Sequence, residues 1–374
     1  MLFYVIFILS VVILMGNRPV NKNRKLGYGS YIGITIIILV SILRFDVGWD
    51  YPGYYETVYP SLDTYAIDRF EPFNKIICQL VSYTKWPPLL FIIYGLITYI
   101  LVFSTLRKYT DNLFLATLTY LAFFYTTSLG PIRQGVALAI VLYAYRYLVT
   151  KAYLKYIGAV VIAGMFHYTA FVCILIPVIF YFMTFPRMIL VLIIIGVGIR
   201  VIIRLYAEYF GYTYYLLADV EYSGGSLISY VYPLVIISLC VLSWKKRDWL
   251  TRKLLYVTSF GAIWPFVLGG HLGGRIGWYF LIYLCVLVPH VLVQCKTTLR
   301  SLYATALVVY FLLFVYITTL NPIKQPLTPY QSIPGIPFLN KNADKCCNIL
   351  IRKKKNCVVD VVPASRYAMF TPLL

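Results

Sequence analysis

Charge is what this 374-residue chain has least of: only 12% of its residues are charged, and just 13 are acidic. Soluble domains carry roughly a quarter charged residues, so a water-facing fold around a single buried core is excluded. Histidine is scarce as well. There are three in all, no two at metal-ligand spacing, which argues against a histidine metal site. Among the eight cysteines, Cys78, Cys173, Cys240, Cys285 and Cys295 are scattered along or beside apolar stretches without paired spacing. They read as small apolar side chains, and neither a zinc site nor a disulfide framework follows. No internal repeat is visible, and no inverted pair of broken helices such as many transporters show. The first apolar band, LFYVIFILSVVILM, has no positive residue ahead of it and no small-residue cleavage site, so it reads as a retained helix rather than a signal peptide.

Hydrophobic residues, by contrast, make up 61% of the chain. Bands about as long as a bilayer core is thick recur from Met1 to Leu320, predicting an all-α, polytopic membrane bundle over residues 1–322. About twelve crossings are expected, at roughly 2–15, 28–45, 88–106, 112–129, 133–149, 152–166, 168–185, 188–204, 227–243, 254–270, 276–293 and 300–319. Between the second and third lies FNKIICQLVSYTKW. Phe73, Ile76, Ile77, Leu80 and Val81 form one face there, with Asn74, Lys75, Gln79 and Ser82 opposite, so the stretch is placed flat at the outer interface.

The net charge of +20 would suggest nucleic acid in a soluble protein, but these positive residues sit mainly in short loops between apolar bands. That is the positive-inside pattern, and no nucleic-acid partner follows from it. Arg18, Lys22, Arg24 and Lys25 place the first loop in the cytoplasm and the N-terminus outside. If 73–86 does not cross, nine of the eleven acidic residues ahead of the tail fall outside. Residues 323–374 form a Pro-rich and then basic tail with no convincing period.

The loop over 46–72 is the longest polar interruption between hydrophobic spans ahead of that tail. Asp46, Asp50, Glu56, Asp63, Asp68 and Glu71 are interleaved there with Trp49, Tyr51, Tyr54, Tyr55, Tyr59 and Tyr65. Rings stack on the C–H faces of sugars while carboxylates hydrogen-bond the hydroxyls; an interfacial aromatic belt over a solvated loop is the plainer alternative.

Inside positive charge is mostly lysine, whereas the outer exceptions are chiefly arginine: Arg44, Arg69, Arg133, Arg200, Arg204 and Arg275. The planar guanidinium fork grips phosphate at two points, so several arginines near one outer face point to an anionic ligand at the lipid–water boundary, most simply a pyrophosphate. Arg133 and Gln134 open a helix behind Gly130-Pro131, where free N–H groups and the helix dipole add to the pull on a phosphate. His167 stands at an outer turn at similar depth, a candidate acid/base or phosphate contact. His271 and Arg275 make a second outer turn among glycines that let backbone approach a ligand.

Arg44 with Val47-Gly48-x-Asp50-Tyr51-x-x-Tyr54, then Glu71, Ile132-Arg133-Gln134 and Phe166-His167-Tyr168-Thr169-Ala170 make the chain similar to the EpsG family of exopolysaccharide polymerases. That family is related in role to Wzy-type polymerases. The likeness covers roughly residues 1–335, ending at Thr328-Pro329-Tyr330; where Tyr168-Thr169 stand, the family usually has a small residue such as serine. The small number of inward carboxylates argues against a divalent-metal requirement. The resemblance implies a GT-C-like membrane fold and no cofactor. It implies that a glycan held on polyprenyl diphosphate is passed, at the outer face of a bacterial cell membrane, to the free sugar end of another lipid-linked repeat. A flippase and a chain-length regulator are the expected companions. Arg133 and Arg275, and less so Arg44, then face the diphosphate; His167, Asp50 and Glu71, in that order, compete for the role of base; Trp49, Tyr51 and Tyr54 orient sugars, with Gln134 and Tyr330 as further contacts. A flippase for the same lipid-linked oligosaccharide needs the arginines and rings but no base. A membrane acyltransferase needs a catalytic histidine on the inner side, where His290 is the one choice.

Overall fold

In a computed structural model the chain is described over residues 1–16, 27–58, 70–184, 187, 227–246, 248–268, 270–320, 327 and 330–333. It is mostly helical. Helices α1 (Leu2–Met15) and α2 (Tyr28–Ile42) are followed by the short α3 (Tyr51–Thr57) and then α4 (Pro72–Thr84). Next come α5 (Pro88–Tyr109), α6 (Leu113–Leu129) and α7 (Ile132–Val149). Helix α8 (Tyr153–Phe166) leads through a 3₁₀ segment, Tyr168–Ile174, into α9 (Leu175–Phe182). The rest is α10 (Leu227–Ser243), α11 (Trp249–Leu268), α12 (Gly270–Leu281), α13 (Leu284–Val293) and α14 (Thr297–Leu320).

Three of these helices, α5, α7 and α14, are long and apolar enough to cross a membrane, and a fourth span results if α12 and α13, bent by 46° at their junction, count as one. Several shorter apolar helices accompany them, including α1, α2, α6 and α8. The crossing expected at 188–204, with Arg200 and Arg204, lies outside the described residues, as do residues 59–69, the loop carrying Arg18 to Lys25, and the basic tail. The single straight crossing expected at 276–293 is instead broken at Ile282 and Tyr283, where the chain makes turn-type bonds between the two helices.

Many large apolar side chains point outward, Ile13, Leu154, Leu234 and Leu320 among them, and suit a surface wetted by lipid tails rather than water. The core between helices is rich in buried tyrosines, among them Tyr94, Tyr99, Tyr125, Tyr156 and Tyr283. Their hydroxyls find partners inside: Tyr125 with Ser41, Tyr99 with Ser128, Tyr283 with the Val141 carbonyl. Inside a bundle a polar group without a partner is costly, so these pairs fix how the helices register.

Two features differ from the expectations drawn from the sequence, one in secondary structure and one in the facing of a helix. Arg44–Phe45 pairs antiparallel with Gln331–Ser332. Nearby, Tyr4 donates to the Leu327 carbonyl, Tyr330 donates to the Val40 carbonyl, and its ring stacks on Phe3 at 4.0 Å. The second difference is α4, whose buried side carries Asn74, Cys78 and Val81 while Ile76 and Leu80 face outward. The polar face expected to meet water is therefore turned partly inward.

The turn between α6 and α7 is braced from α2. Gly48 has φ +107°, and a Cβ there would stand 2.2 Å from the Leu129 carbonyl oxygen, so only glycine lets the two loops touch. Arg44, 2% exposed, donates to the carbonyls of Ser41, Val47 and Leu129. Ser41 and Leu129 lie at the C-terminal ends of α2 and α6, where helix dipoles favour a cation.

Candidate active site

Four elements meet beyond that turn. Pro72 starts α4 with a fixed φ, which leaves Glu71 in extended conformation at its N-cap position, its carboxylate held against the bundle at 4% exposure. Pro131 precedes the first residue of α7, and Arg133 projects from that first turn. His167 ends α8: its N–H bonds the Ala163 carbonyl, while its backbone turns extended at φ −158°. Helix α12 brings Arg275, and a Cβ on Gly273 would lie 2.1 Å from the Trp264 carbonyl oxygen, so a bare backbone lets α12 lie close on α11.

Glu71 is the hub. Its Oε2 accepts from Arg133 Nη1 at 2.5 Å and from Asn74 Nδ2 at 2.9 Å. Its Oε1 stands 3.1 Å from His167 Nδ1. Arg133 Nε donates to the Tyr54 hydroxyl at 2.9 Å, and the guanidinium lies over the Phe70 ring, 4.6 Å from its centroid. Gln134 Nε2 donates to the Arg275 carbonyl at 2.7 Å, locking the start of α7 to α12.

Burial works against charge on Glu71, but the His167 hydrogen bond and the Arg133 charge outweigh it and bring the carboxyl down to about 2. Burial also pushes the His167 ring below its ordinary value, with the Arg133 and Arg275 charges adding to the push and Glu71 opposing it. Burial raises the Tyr54 hydroxyl to about 12 against the pull of Arg133, so it meets Arg133 as a neutral acceptor.

An ionised carboxylate only accepts hydrogen bonds. The contact with Glu71 therefore assigns the proton of neutral His167 to Nδ1, and Nε2 keeps a lone pair. That nitrogen is buried and has no partner among the described residues. An unpaired basic nitrogen, oriented by a carboxylate and flanked by guanidinium groups, can take a proton from a hydroxyl and hold it. Arg133 Nη2 is not engaged by any described residue. The Arg275 guanidinium makes no hydrogen bond or ion pair among the described residues, yet its charge acts on both Tyr54 and His167.

Of the other expected site residues, Arg44, Tyr51 and Tyr330 have their bonds and ring contacts outside this hub. Arg44 lies behind it, lining a small cavity with Tyr94 and Tyr99 and bonded to backbone carbonyls. Tyr51 is fully buried, its ring stacked on Phe91 at 3.9 Å. Trp49 is 49% exposed. Asp50 starts α3 through its carbonyl, which accepts from Tyr54 N–H, and its charge reaches Tyr54. Tyr330 is engaged by α1 and α2. His290, the histidine expected on the inner side, meets Asp248 at 3.0 Å and Asp111 at 3.8 Å. The His271 side chain lies outside the described ones. Among the described residues no three His, Cys, Asp or Glu side chains are grouped to hold a metal ion. Sequence reasoning missed Asn74 and Phe70, and a polar residue on a one-sided helix gave no sign that it would be drawn inward.

No curated protein and no solved structure matches the chain. One family model does, that of the EpsG family, over residues 27–332.

Proposed function

The chain belongs to the EpsG family, which is linked to exopolysaccharide synthesis, and on that footing we propose that it is a polymerase of lipid-linked oligosaccharide repeats. The observation that carries this reading is the Glu71–His167–Arg133 cluster, with a buried His167 Nε2 that lacks a partner among the described residues. A flippase needs anion-binding arginines but gains nothing from a histidine held in one tautomer.

The acceptor is a sugar hydroxyl at the free end of one lipid-linked repeat. His167 Nε2 takes its proton as the oxygen attacks the anomeric carbon of the donor glycan, and the bond from that carbon to the diphosphate breaks with inversion. Polyprenyl diphosphate leaves. Its growing negative charge falls to Arg133, through the guanidinium edge that Glu71 and Tyr54 leave open, and to Arg275. Glu71 orients the base and is not itself the base, because both of its oxygens are already hydrogen-bonded. Trp49 and Asp50 supply sugar contacts at the mouth, while Arg44 and Tyr51 hold the framework.

The same reading takes the bundle as about twelve crossings in a bacterial cell membrane, with 46–72 and the cluster on the extracytoplasmic face. Asp111 and Asp248, the two acidic residues assigned to the inner side, converge on His290, away from the cluster in bonding and consistent with that register. The partners are the bilayer, polyprenyl-diphosphate-linked oligosaccharide, and a flippase and chain-length regulator. Purified protein supplied with lipid-linked repeats should build a ladder of polymer and release polyprenyl diphosphate. Transfer of intact repeats across vesicles with no new glycosidic bond would replace this reading with the flippase.

A further inference from the structure

Asn74 has no counterpart among the residues that carry the family likeness, yet its side chain is fully buried and touches both halves of the base assembly. Its amide nitrogen donates to Glu71 Oε2 at 2.9 Å and to the Phe166 carbonyl at 2.6 Å. Phe166 is the residue before His167. The amide oxygen accepts from the Tyr94 hydroxyl on α5. The orientation of the amide is dictated by chemistry: an ionised carboxylate and a backbone carbonyl both only accept, so both must face the NH₂ end.

One planar group therefore spans from the carboxylate to the backbone carrying the imidazole. It sets how far Glu71 lies from His167, and it fills the second position on Glu71 Oε2 beside Arg133. With Oε2 taken twice, Oε1 is left for His167 Nδ1, and the carboxylate cannot rotate without giving up a bond. Tyr94 closes the arrangement from a third helix, and the Phe166 ring packs edge-on against Tyr94 at 6.2 Å.

We propose that Asn74, braced by Tyr94, is a positioning residue that fixes the tautomer and the aim of His167 through Glu71 and the Phe166 carbonyl. This rests on the reading of His167 as the base for glycosyl transfer, so the test has one arm that does not need turnover. Full-length protein in lipid nanodiscs is labelled with ¹⁵N-histidine, the His167 signal is assigned by His167→Gln, and nitrogen shifts report which ring nitrogen carries the proton. The wild type is expected to show protonated Nδ1 and bare Nε2. In Asn74→Leu, nearly the same shape, that signal should give way to a mixture of tautomers. In the polymer assay kcat should fall about tenfold, the scale of one hydrogen bond to a charged group, with KM within about twofold. The acid limb of kcat should move upward, because a less satisfied Glu71 charge holds a proton on His167 more firmly.

Asn74→Asp, which keeps the size, should be poor at neutral pH and recover toward acid, as the introduced carboxyl gains a proton to donate. Should Asn74→Leu fail to fold, Tyr94→Phe carries the test, with a smaller change of the same kind in tautomer and rate. Unchanged tautomer signals in Asn74→Leu and Tyr94→Phe would overturn the proposal, as would an Asn74→Asp pH profile parallel to the wild type. Wild-type protein that makes no polymer would sink the polymerase reading instead, and the nitrogen shifts would still decide the role of Asn74.

Discussion

Glu71 Oε1 and His167 Nδ1 lie 3.1 Å apart, although 96 residues separate them along the chain. Because the carboxylate is held down to about 2, this contact leaves the imidazole one place for its proton.

Replacement of Glu71 by glutamine keeps the shape and removes the charge. Turnover of lipid-linked repeats should drop on the order of 100-fold or more, the usual worth of an oriented base. A rate within threefold of wild type would show that His167 needs no carboxylate.

The pH profile follows from burial. His167 sits below its ordinary 6.5, so kcat/KM should be flat through neutral pH and fall only in more acid solution. Glu71→Gln should move that acid limb lower still, since the carboxylate is what favours the charged ring. Stability follows both groups: the lowered pKa of His167 costs stability as pH falls below about 6.5, and the folded-state pKa of Glu71 is depressed from 4.5, so its contribution is complete above about 4.5 and is lost as pH falls toward about 2. Thermal melts across that interval would register the loss.

Arg133→Lys keeps a positive charge but gives up the Nε bond to Tyr54 and the flat contact with Phe70. Chain extension should be abolished while expression stays normal, because a point charge cannot grip a phosphate at two positions. Tyr54→Phe, which loses one hydrogen bond, should cost only about fivefold to tenfold. Full-length polymer from the lysine variant would remove Arg133 from the diphosphate site.

Arg44→Met tests a framework role. Three carbonyls lose their donor, so the melting temperature should fall by an amount equal to about 3 kcal/mol or more, while any folded fraction keeps KM for the lipid-linked repeat. A raised KM with an unchanged melting temperature would return Arg44 to the phosphate site.

Sidedness is open to labelling. In a background with the native cysteines replaced, Trp49→Cys, at a position 49% exposed, should react with an impermeant reagent added to intact cells. Asp111→Cys, whose native side chain is 61% exposed, should react only after permeabilisation. The reverse pattern would invert the register.

The helices were legible because apolar bands have lengths and ends: the expected 133–149 appears as Ile132–Val149 and 300–319 as Thr297–Leu320. Their standing as crossings was less so, since hydropathy along a band does not show a bend such as that at Ile282 and Tyr283. In the site, the contrast of arginine with lysine marks Arg133, the acidic and aromatic loop marks Glu71 and the outer turn marks His167, but none of these shows the bonding among them. Periodicity puts Asn74 on the polar face because it sees only its own helix, whereas its partners come from positions 94 and 166 as well as Glu71. For Arg44 the sequence shows the guanidinium but not the carbonyls of Ser41, Val47 and Leu129 that it meets.

The pairing of Arg44–Phe45 with Gln331–Ser332 gives the protein a late assembly step. A ribosome has translated nearly the whole family-matched region before the partner strand emerges, so the early helices wait in the bilayer without their final clasp. The clasp holds the Arg44 segment, and that segment braces the turn before Arg133 through the Leu129 carbonyl, so the bracing is complete only once residues 331–332 are in place. A nascent chain halted before residue 327 has every residue of the Glu71 hub and lacks the strand that pairs with Arg44–Phe45.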